Sequence, residues 1–415
     1  METPLGLERP DWARRVVVMG PSVGGAADLV SLDPDELIAT AERITGLSDF
    51  GEPTWEEPFR RLLDALETEA QLHALGRLMT RHDLLRHLQT RLRVLQAVRD
   101  DPTIADEGVT APVFITGPAR SGTSILQELL AQDPNLRAPL AWELAFPIAP
   151  AAGVEDDRIA WAECEFDLWC DVQPEFRAVH ELAATLPEEC LWLFAPEFDS
   201  GFWAACTSIP SFMAWRAGTD AEPAYRFHRT MLRLLQHGAP ARPWVLKSPV
   251  HQFRLTALFA VYPDARIIQT HRDPGRVVPS AASTVATGHW LRSDAVDPLE
   301  VGASVSFGFD VLLNSAAAQR SSGELPAEQI ADLHYLDLMR DPVGAITSAY
   351  AQLGLPVAPQ LPDLITGYLA ARPQDKHGRH AYDPRDFGLD VDAIRDGLAP
   401  YIDTFGVELE PTAAP

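Results

Sequence analysis

At 415 residues and 46% hydrophobic content, the chain is long enough for one large α/β domain with additions, or for two domains. A formal charge of −25 excludes nucleic acid and an anionic membrane surface as the main partner, so an anionic ligand must be held by local donors working against that field. Cys164, Cys170, Cys190 and Cys206 lack metal-ligand spacing and read as buried free thiols, and no apolar run has the flanks of a leader or the length of a membrane span, so a cytoplasmic location is expected.

Residues 1 to about 30 carry Pro and Gly without period and read as irregular, and Asp33-Pro-Asp-Glu-Leu37 opens a short helix. From Pro58 to about Asp100 runs a long helical pattern, with Leu62, Leu63 and Leu66 followed by Leu84, Leu85, Leu88, Leu92 and Leu95, which Gly76 is expected to divide. Its arginines (Arg77, Arg81, Arg86, Arg91 and Arg93) read as solvated partners of an acidic body. Residues 1–110 are therefore taken as a helical extension of the main domain, 111–415.

Val113 to Ile115 has the length and branching of a buried strand. Gly117, Pro118 and Gly122 then form a loop, and Ile125, Leu126, Leu129 and Leu130 share one face of a following helix. Strand, glycine loop and helix together aim free backbone N–H groups at an anion. The two glycines have the spacing of G-x-x-x-x-G-K-[ST], but Thr123 stands where the lysine belongs, and the positive charge sits inside the loop at Arg120. That weakens a nucleoside-triphosphatase reading. Only Lys247 and Lys376 are lysine among the basic residues; where lysine persists against such an arginine bias, a compact ammonium is wanted.

Leu140-Ala-Trp-Glu143 lies where the chain returns past the ligand face. Residues 151–242 form a helical, aromatic-rich insertion with Trp161, Trp169, Trp192, Trp203 and Trp215, most of them core and a subset candidates for an apolar acceptor pocket. Trp244-Val-Leu-Lys247 reads as a second strand, followed by a helix through His251 and Leu255. Ala265 to Thr270 is a third strand ending in His271-Arg272-Asp273-Pro274, with Ser280 on the next helix. Ile330 to Tyr335 is a fourth strand, and Val343 to Leu353 its helix. Strands alternating with helices imply an α/β fold with a central parallel sheet covered on both faces. Asp375-Lys-His-Gly-Arg-His380 is a basic, glycine-containing loop in an acidic chain.

Three of these stretches together resemble the PAPS-dependent sulfotransferases, which use 3′-phosphoadenosine 5′-phosphosulfate (PAPS). Gly117-Pro-Ala-Arg-Ser-Gly-Thr-Ser124 is similar to the family's 5′-phosphosulfate loop, in the arginine form of its bacterial and Golgi-type branches. Arg272-Asp-Pro to Ser280 is similar to its strand-end arginine and helix serine that hold the 3′-phosphate, and Val245-Leu-Lys-Ser-Pro249 to the strand-end lysine facing the transferred group. The resemblance covers about residues 111–390 and implies a P-loop-type three-layer sandwich. It further implies that Arg120, Ser121, Gly122, Thr123 and Ser124 cradle the 5′-phosphosulfate, that Arg272 and Ser280 hold the 3′-phosphate, and that Lys376, Gly378 and Arg379 close the site. Lys247 is expected to neutralise developing charge. A transferring sulfuryl group carries less charge than a phosphoryl group, so fixed cations and N–H groups suffice and no metal is expected.

The acceptor hydroxyl needs a general base, for which three candidates stand in the order His180, Glu143, His251. Glu188 and Glu189 are placed to orient His180. The aromatic insertion and the lack of a basic acceptor patch favour a small apolar alcohol, phenol or lipid as acceptor, with no nucleic acid and no membrane span. A P-loop small-molecule kinase and a catalytically inactive nucleotide-binding protein are the rival readings. Oligomeric state is not encoded in these motifs.

Overall fold

The computed structural model describes residues 5–150, 153–372 and 381–411. Four parallel strands form its sheet: β1 (Val113–Thr116), β2 (Val245–Lys247), β3 (Arg266–His271) and β4 (Ile330–His334), in the order β2-β1-β3-β4. Val113 pairs with Val245 on one side and Arg266 on the other, and Ile267 with Ile330. Alternation along each strand sends side chains to opposite faces. Val113, Ile115, Val245, Ile268 and Leu333 enter one apolar cluster, while Phe114, Leu246, Ile267 and Ile330 enter another. The sheet is thus buried on both faces, as a parallel sheet requires.

The cluster around Phe114 is continuous with the N-terminal helices α1 (Glu56–Thr68) and α2 (Ala74–Asp100) and with the aromatic helices of the insertion. Of the five insertion tryptophans, Trp192 and Trp203 are buried in that core, whereas Trp161 is 54% exposed. On the other face lie α3 (Thr123–Leu130) and, much later, α6 (Pro342–Leu353). Between them in sequence come α4 (Pro274–Trp290) and α5 (Pro298–Ser322), which pack on one another. By length and apolar content α5 is long enough to cross a membrane, but it carries Glu300, Asp310 and Arg320.

Several expectations change. The N-terminal stretch is not irregular: it holds short helices Asp11–Val17, Met19–Ser22 and Ala26–Leu29. Tyr335 is not the end of β4 but the first residue of a helix. Cys164 is exposed, while the other three thiols are buried. Of the helical arginines, Arg81 pairs with Glu36 near the surface, but Arg77, Arg86 and Arg91 are buried against Glu67, Asp83 and Glu197 respectively rather than solvated.

Gly76 does not divide the long helical pattern. The break falls between Thr68 and Ala74, and Gly76 lies within the first turn of α2. Its reason is proximity: a Cβ there would sit 2.0 Å from the carbonyl oxygen of Arg292, which crosses directly above. Gly76→Ala should therefore destabilise the protein by about 1–3 kcal/mol through overpacking, although the same change in an open helix is stabilising. Urea denaturation checks the sign; a variant as stable as the parent would remove the close-approach explanation.

Candidate functional site

In open α/β sheets, ligands bind at the carboxyl ends of strands where the strand order reverses. Here β1 lies between β2 and β3, so the carboxyl ends of these three strands lie side by side at that edge. The sequence fills it with the loop after β1, Lys247 as the last residue of β2, and Arg272 directly after β3.

The loop is held in a demanding conformation. Gly117 has φ +129°, and a Cβ would come within 2.3 Å of the Thr270 hydroxyl on β3. Gly122, at φ +85°, precedes α3 directly. Between them Arg120 adopts φ +69°, which costs a non-glycine residue of order 1–3 kcal/mol. Neighbours enforce it: Arg272 Nη1 donates to the Arg120 carbonyl at 2.8 Å, and the Ser121 hydroxyl donates to the Pro118 carbonyl at 2.6 Å.

Arg120 turns its guanidinium inward. Nε donates to the Ser280 hydroxyl at 3.1 Å and Nη1 to the Val179 carbonyl at 3.1 Å. Both acceptors are neutral, and among the described residues Arg120 has no ion-pair partner. Burial lowers its pKa, and the nearby Arg272 charge acts in the same direction. A largely buried cation facing only neutral acceptors is stabilised by an arriving anion. Arg272 and Ser280, expected to share a phosphate, are both brought onto Arg120. Arg272 pairs not with adjacent Asp273 but, through Nε and Nη2, with both carboxylate oxygens of Glu410, at 2.7 and 3.0 Å. Its plane lies over the Tyr335 ring, 3.8 Å from the centroid. A cavity of about 270 Å³ opens beside it, lined by Arg272, Tyr335, His334 and Glu410 among others.

Lys247 is buried at the end of β2, its ammonium donating to Ser124 at 3.2 Å and to Glu189 at 2.5 Å. The Cys190 amide donates to the Lys247 carbonyl, so the segment carrying Glu188 and Glu189 is fastened alongside the strand end. His180 Nε2 lies 3.5 Å from Glu188. Burial pulls the His180 pKa down, but Glu188 outweighs it, leaving the imidazole above its ordinary value. The same pairing overcomes burial at Glu188 and holds its carboxyl below the usual range. The Val179 carbonyl that receives Arg120 immediately precedes His180, which ties the histidine to the loop.

The other two base candidates are differently engaged. Glu143 accepts from Arg137 at 2.7 Å and from the Leu140 amide at 2.9 Å, closing the start of the short helix Ala141–Ala145. His251 is fully buried among Phe114, Phe194 and His228, with Nδ1 2.7 Å from the Tyr225 hydroxyl, and burial lowers its pKa to about 3. Lys376, Gly378 and Arg379 lie outside the described residues. Sequence reasoning missed Glu410 and the stacking of Tyr335. The second had a signal in the aromatic residue at the end of the fourth apolar run. The first, 138 residues from Arg272, had none.

A strand-loop-helix unit carrying the half-buried Arg120 and, at the strand end beside it, the buried Lys247 thus meet where the strand order reverses. The sequence pattern described as "Sulfotransferase family" matches residues 112–359, more than half of the chain. The chain belongs to the sulfotransferase family. Omega-hydroxy-beta-dihydromenaquinone-9 sulfotransferase Stf3 of Mycobacterium tuberculosis, and the same-named protein of Mycobacterium bovis, are each 26% identical over 283 residues, spanning 63% of this chain and 65% of the relative. The alignment thus spans somewhat less than two thirds of those relatives' length. The crystal structure of sulfotransferase STF1 from Mycobacterium tuberculosis superposes with a TM-score of 0.77 at 30% identity, over 88% of this chain and 98% of that one. Sulfotransferase STF9 from Mycobacterium avium gives 0.77 at 26% identity, over 91% and 98%. The mostly helical fold around a small parallel sheet is therefore the fold of those sulfotransferases.

Proposed function

We propose that the protein transfers a sulfuryl group from PAPS to the hydroxyl of a small, apolar acceptor, giving a sulfate ester and PAP. The observation that carries this reading is Arg120, a half-buried cation on a strained loop with only neutral partners among the described residues, on the loop whose following helix brings Ser124 to the buried Lys247. Arg120, Ser121, Gly122, Thr123 and Ser124 hold the 5′-phosphosulfate, and Arg272 with Ser280 hold the 3′-phosphate. Lys376, Gly378 and Arg379 belong to the same donor site in this reading. The fold is then used as a P-loop-type scaffold whose missing loop lysine is replaced by Arg120.

In the reaction His180 takes the acceptor's hydroxyl proton while the acceptor oxygen forms its bond to sulfur. The bond from sulfur to the 5′-phosphate oxygen breaks, and that oxygen keeps the electron pair as PAP leaves. Glu188 orients the neutral imidazole and stabilises the imidazolium that forms as it takes the proton, and Lys247 stabilises negative charge at the transferring group and leaving oxygen. Glu143 and His251 rank below His180, because one closes a helix and the other is enclosed by aromatic rings. The relatives' printed name is that of a menaquinone sulfotransferase, an apolar lipid chemistry in keeping with the aromatic residues that lead to His180, where Trp169 packs edge-on against Phe176 at 5.4 Å. A cytoplasmic location is part of the same reading.

Nucleotide discrimination tests the donor assignment. PAP carries a 3′-phosphate and AMP does not, so PAP should bind more tightly. Each hydrogen bond to a charged group contributes about 1.5–3 kcal/mol, so Arg272→Ala should weaken PAP about ten-fold or more and leave AMP almost unchanged. Calorimetric titration of both nucleotides reads the pattern. Equal losses would make Arg272 a support of the fold and remove the 3′-phosphate assignment.

A further inference from the structure

Arg272 is not a free cation awaiting an anion; three separate groups already fix its guanidinium. Glu410 takes the Nε–Nη2 edge through both carboxylate oxygens, the Arg120 carbonyl takes one Nη1 hydrogen, and Tyr335 covers a face at 3.8 Å. A guanidinium carries five N–H donors in a rigid fork. Among the described residues three are spent, which leaves one hydrogen on Nη1 and one on Nη2, the two nitrogens at the end of the fork.

Glu410 is itself fastened rather than loosely laid against the site. Its amide donates to Asp273 at 2.8 Å, and its carbonyl accepts from Arg395 at 2.7 Å. Arg395 also grips the Asp273 carboxylate, and Asp273 caps the start of α4, the helix that carries Ser280. The residue after β3, the helix after it and the segment near residue 410 are therefore one hydrogen-bonded unit. An anion that merely occupied the fork would not need this main-chain stitching.

We propose that Glu410 is a positioning residue for the donor site: it turns Arg272 so that the free end of its fork meets the 3′-phosphate while Nη1 holds the strained Arg120 loop. This rests on the reading of Arg272 as a phosphate ligand. The opposite arrangement, a carboxylate that competes with the phosphate for the same fork, predicts the opposite sign of effect, which makes the two separable.

The experiment is calorimetric titration of PAP and of AMP into the full chain carrying Glu410→Ala, Glu410→Gln, Arg272→Ala or Arg272→Ala with Glu410→Ala. The ratio of PAP to AMP affinity is the readout, because it isolates the 3′-phosphate; loss of the Glu410 charge by itself favours the more highly charged PAP, so a fall in the ratio runs against that field effect. Glu410→Ala should lower the ratio about ten-fold, the scale of one charge-assisted hydrogen bond set out of line. Glu410→Gln, which keeps an acceptor for Arg272, should restore part of it. In the Arg272→Ala background the second substitution should change nothing further, since coupled residues are not additive. A ratio that rises in Glu410→Ala overturns the proposal in favour of a competing carboxylate. An equal further fall in the Arg272→Ala background overturns it in favour of a general role in folding. If Arg272→Ala lowers the ratio and Glu410→Ala does not, the positioning role fails while the phosphate assignment stands. If Arg272→Ala leaves the ratio unchanged, both fall together.

Discussion

Lowering the pH from 7 to about 5 should cost the protein most of its stability. Among the described residues four buried histidines are held furthest below their ordinary value, and burial is the leading reason in each: His251 is pushed down to about 3, His73 to about 4, and His87 and His228 well below their ordinary value. Each has a neutral partner or an aromatic surround. His251 meets Tyr225, His228 meets Tyr262, His87 sits among Trp192, Phe202 and Trp203, and His73 accepts from the Gly76 amide at the start of α2. Protonation would place charge in the aromatic core or remove the helix cap.

The sign follows from linkage. The unfolded chain takes up these protons below about pH 6.5 and the native state does not, so stability is full above that pH and falls beneath it. Each such histidine contributes about 1.4 kcal/mol per pH unit once the unfolded form is mostly protonated. Four together give roughly 5 kcal/mol per unit, comparable with a typical total stability of about 5–15 kcal/mol. His180, half-buried, and His82, exposed, are both raised by carboxylate neighbours, act in the opposite direction and offset part of this. Urea unfolding at pH 7.5, 6.5 and 5.5 should show the midpoint falling steeply over the last step. A midpoint unchanged to pH 5.5 would mean that these histidines are not held neutral.

The second large effect is catalytic. His180→Ala should lower kcat by about 10²–10⁴-fold, the range for a lost general base, with PAP affinity nearly unchanged because the donor's proposed ligands are untouched. A base must be deprotonated to act, and Glu188 raises the His180 pKa. Activity should therefore rise with pH across a limb above 6.5, where the fold has its full stability. Glu188→Gln keeps the shape but removes the charge, so the limb should move to lower pH. A His180→Ala enzyme with near-normal turnover would shift the base assignment to Glu143 or His251. A limb that stays in place in Glu188→Gln would detach the carboxylate from the titrating group.

How far the site was legible depends on whether its chemistry is local in sequence. Gly117 and Gly122 declare a loop because only a few residues tolerate its backbone angles, and the apolar run before them and the helical spacing after them fix its neighbours. Lys247 stood out as one of two lysines at the end of an apolar run, and its burial at the end of β2 gives that position a physical cause. That Arg272 and Ser280 come together was readable because eight residues carry the chain from a strand end to two turns of helix, and the structure brings both onto Arg120. What was hidden came from packing. Gly76 resembled a helix breaker, but its requirement is set by Arg292, far along the chain. His251 was the last-ranked base candidate, four residues beyond Lys247, and Phe114 and Phe194 enclose it. Glu143 closes a short helix by a contact only three residues long, and this local signal was present in the sequence. Glu410 could not have been found, since nothing near residue 410 announces a partner at the end of β3.

The most direct test is turnover with labelled PAPS in the presence and absence of EDTA, offered long-chain alcohols, phenols and, for contrast, a glycan. The account predicts that label passes from PAPS to an apolar alcohol or phenol, that PAP forms in equal amount, and that EDTA has no effect. It predicts loss of transfer in Lys247→Ala, by about 10²–10³-fold as for other removed donors at a developing charge. Transfer of phosphate from ATP that stops on chelation would establish the kinase reading instead, and tight binding of PAPS with no transfer to any acceptor would make the protein a nucleotide-binding protein without catalysis.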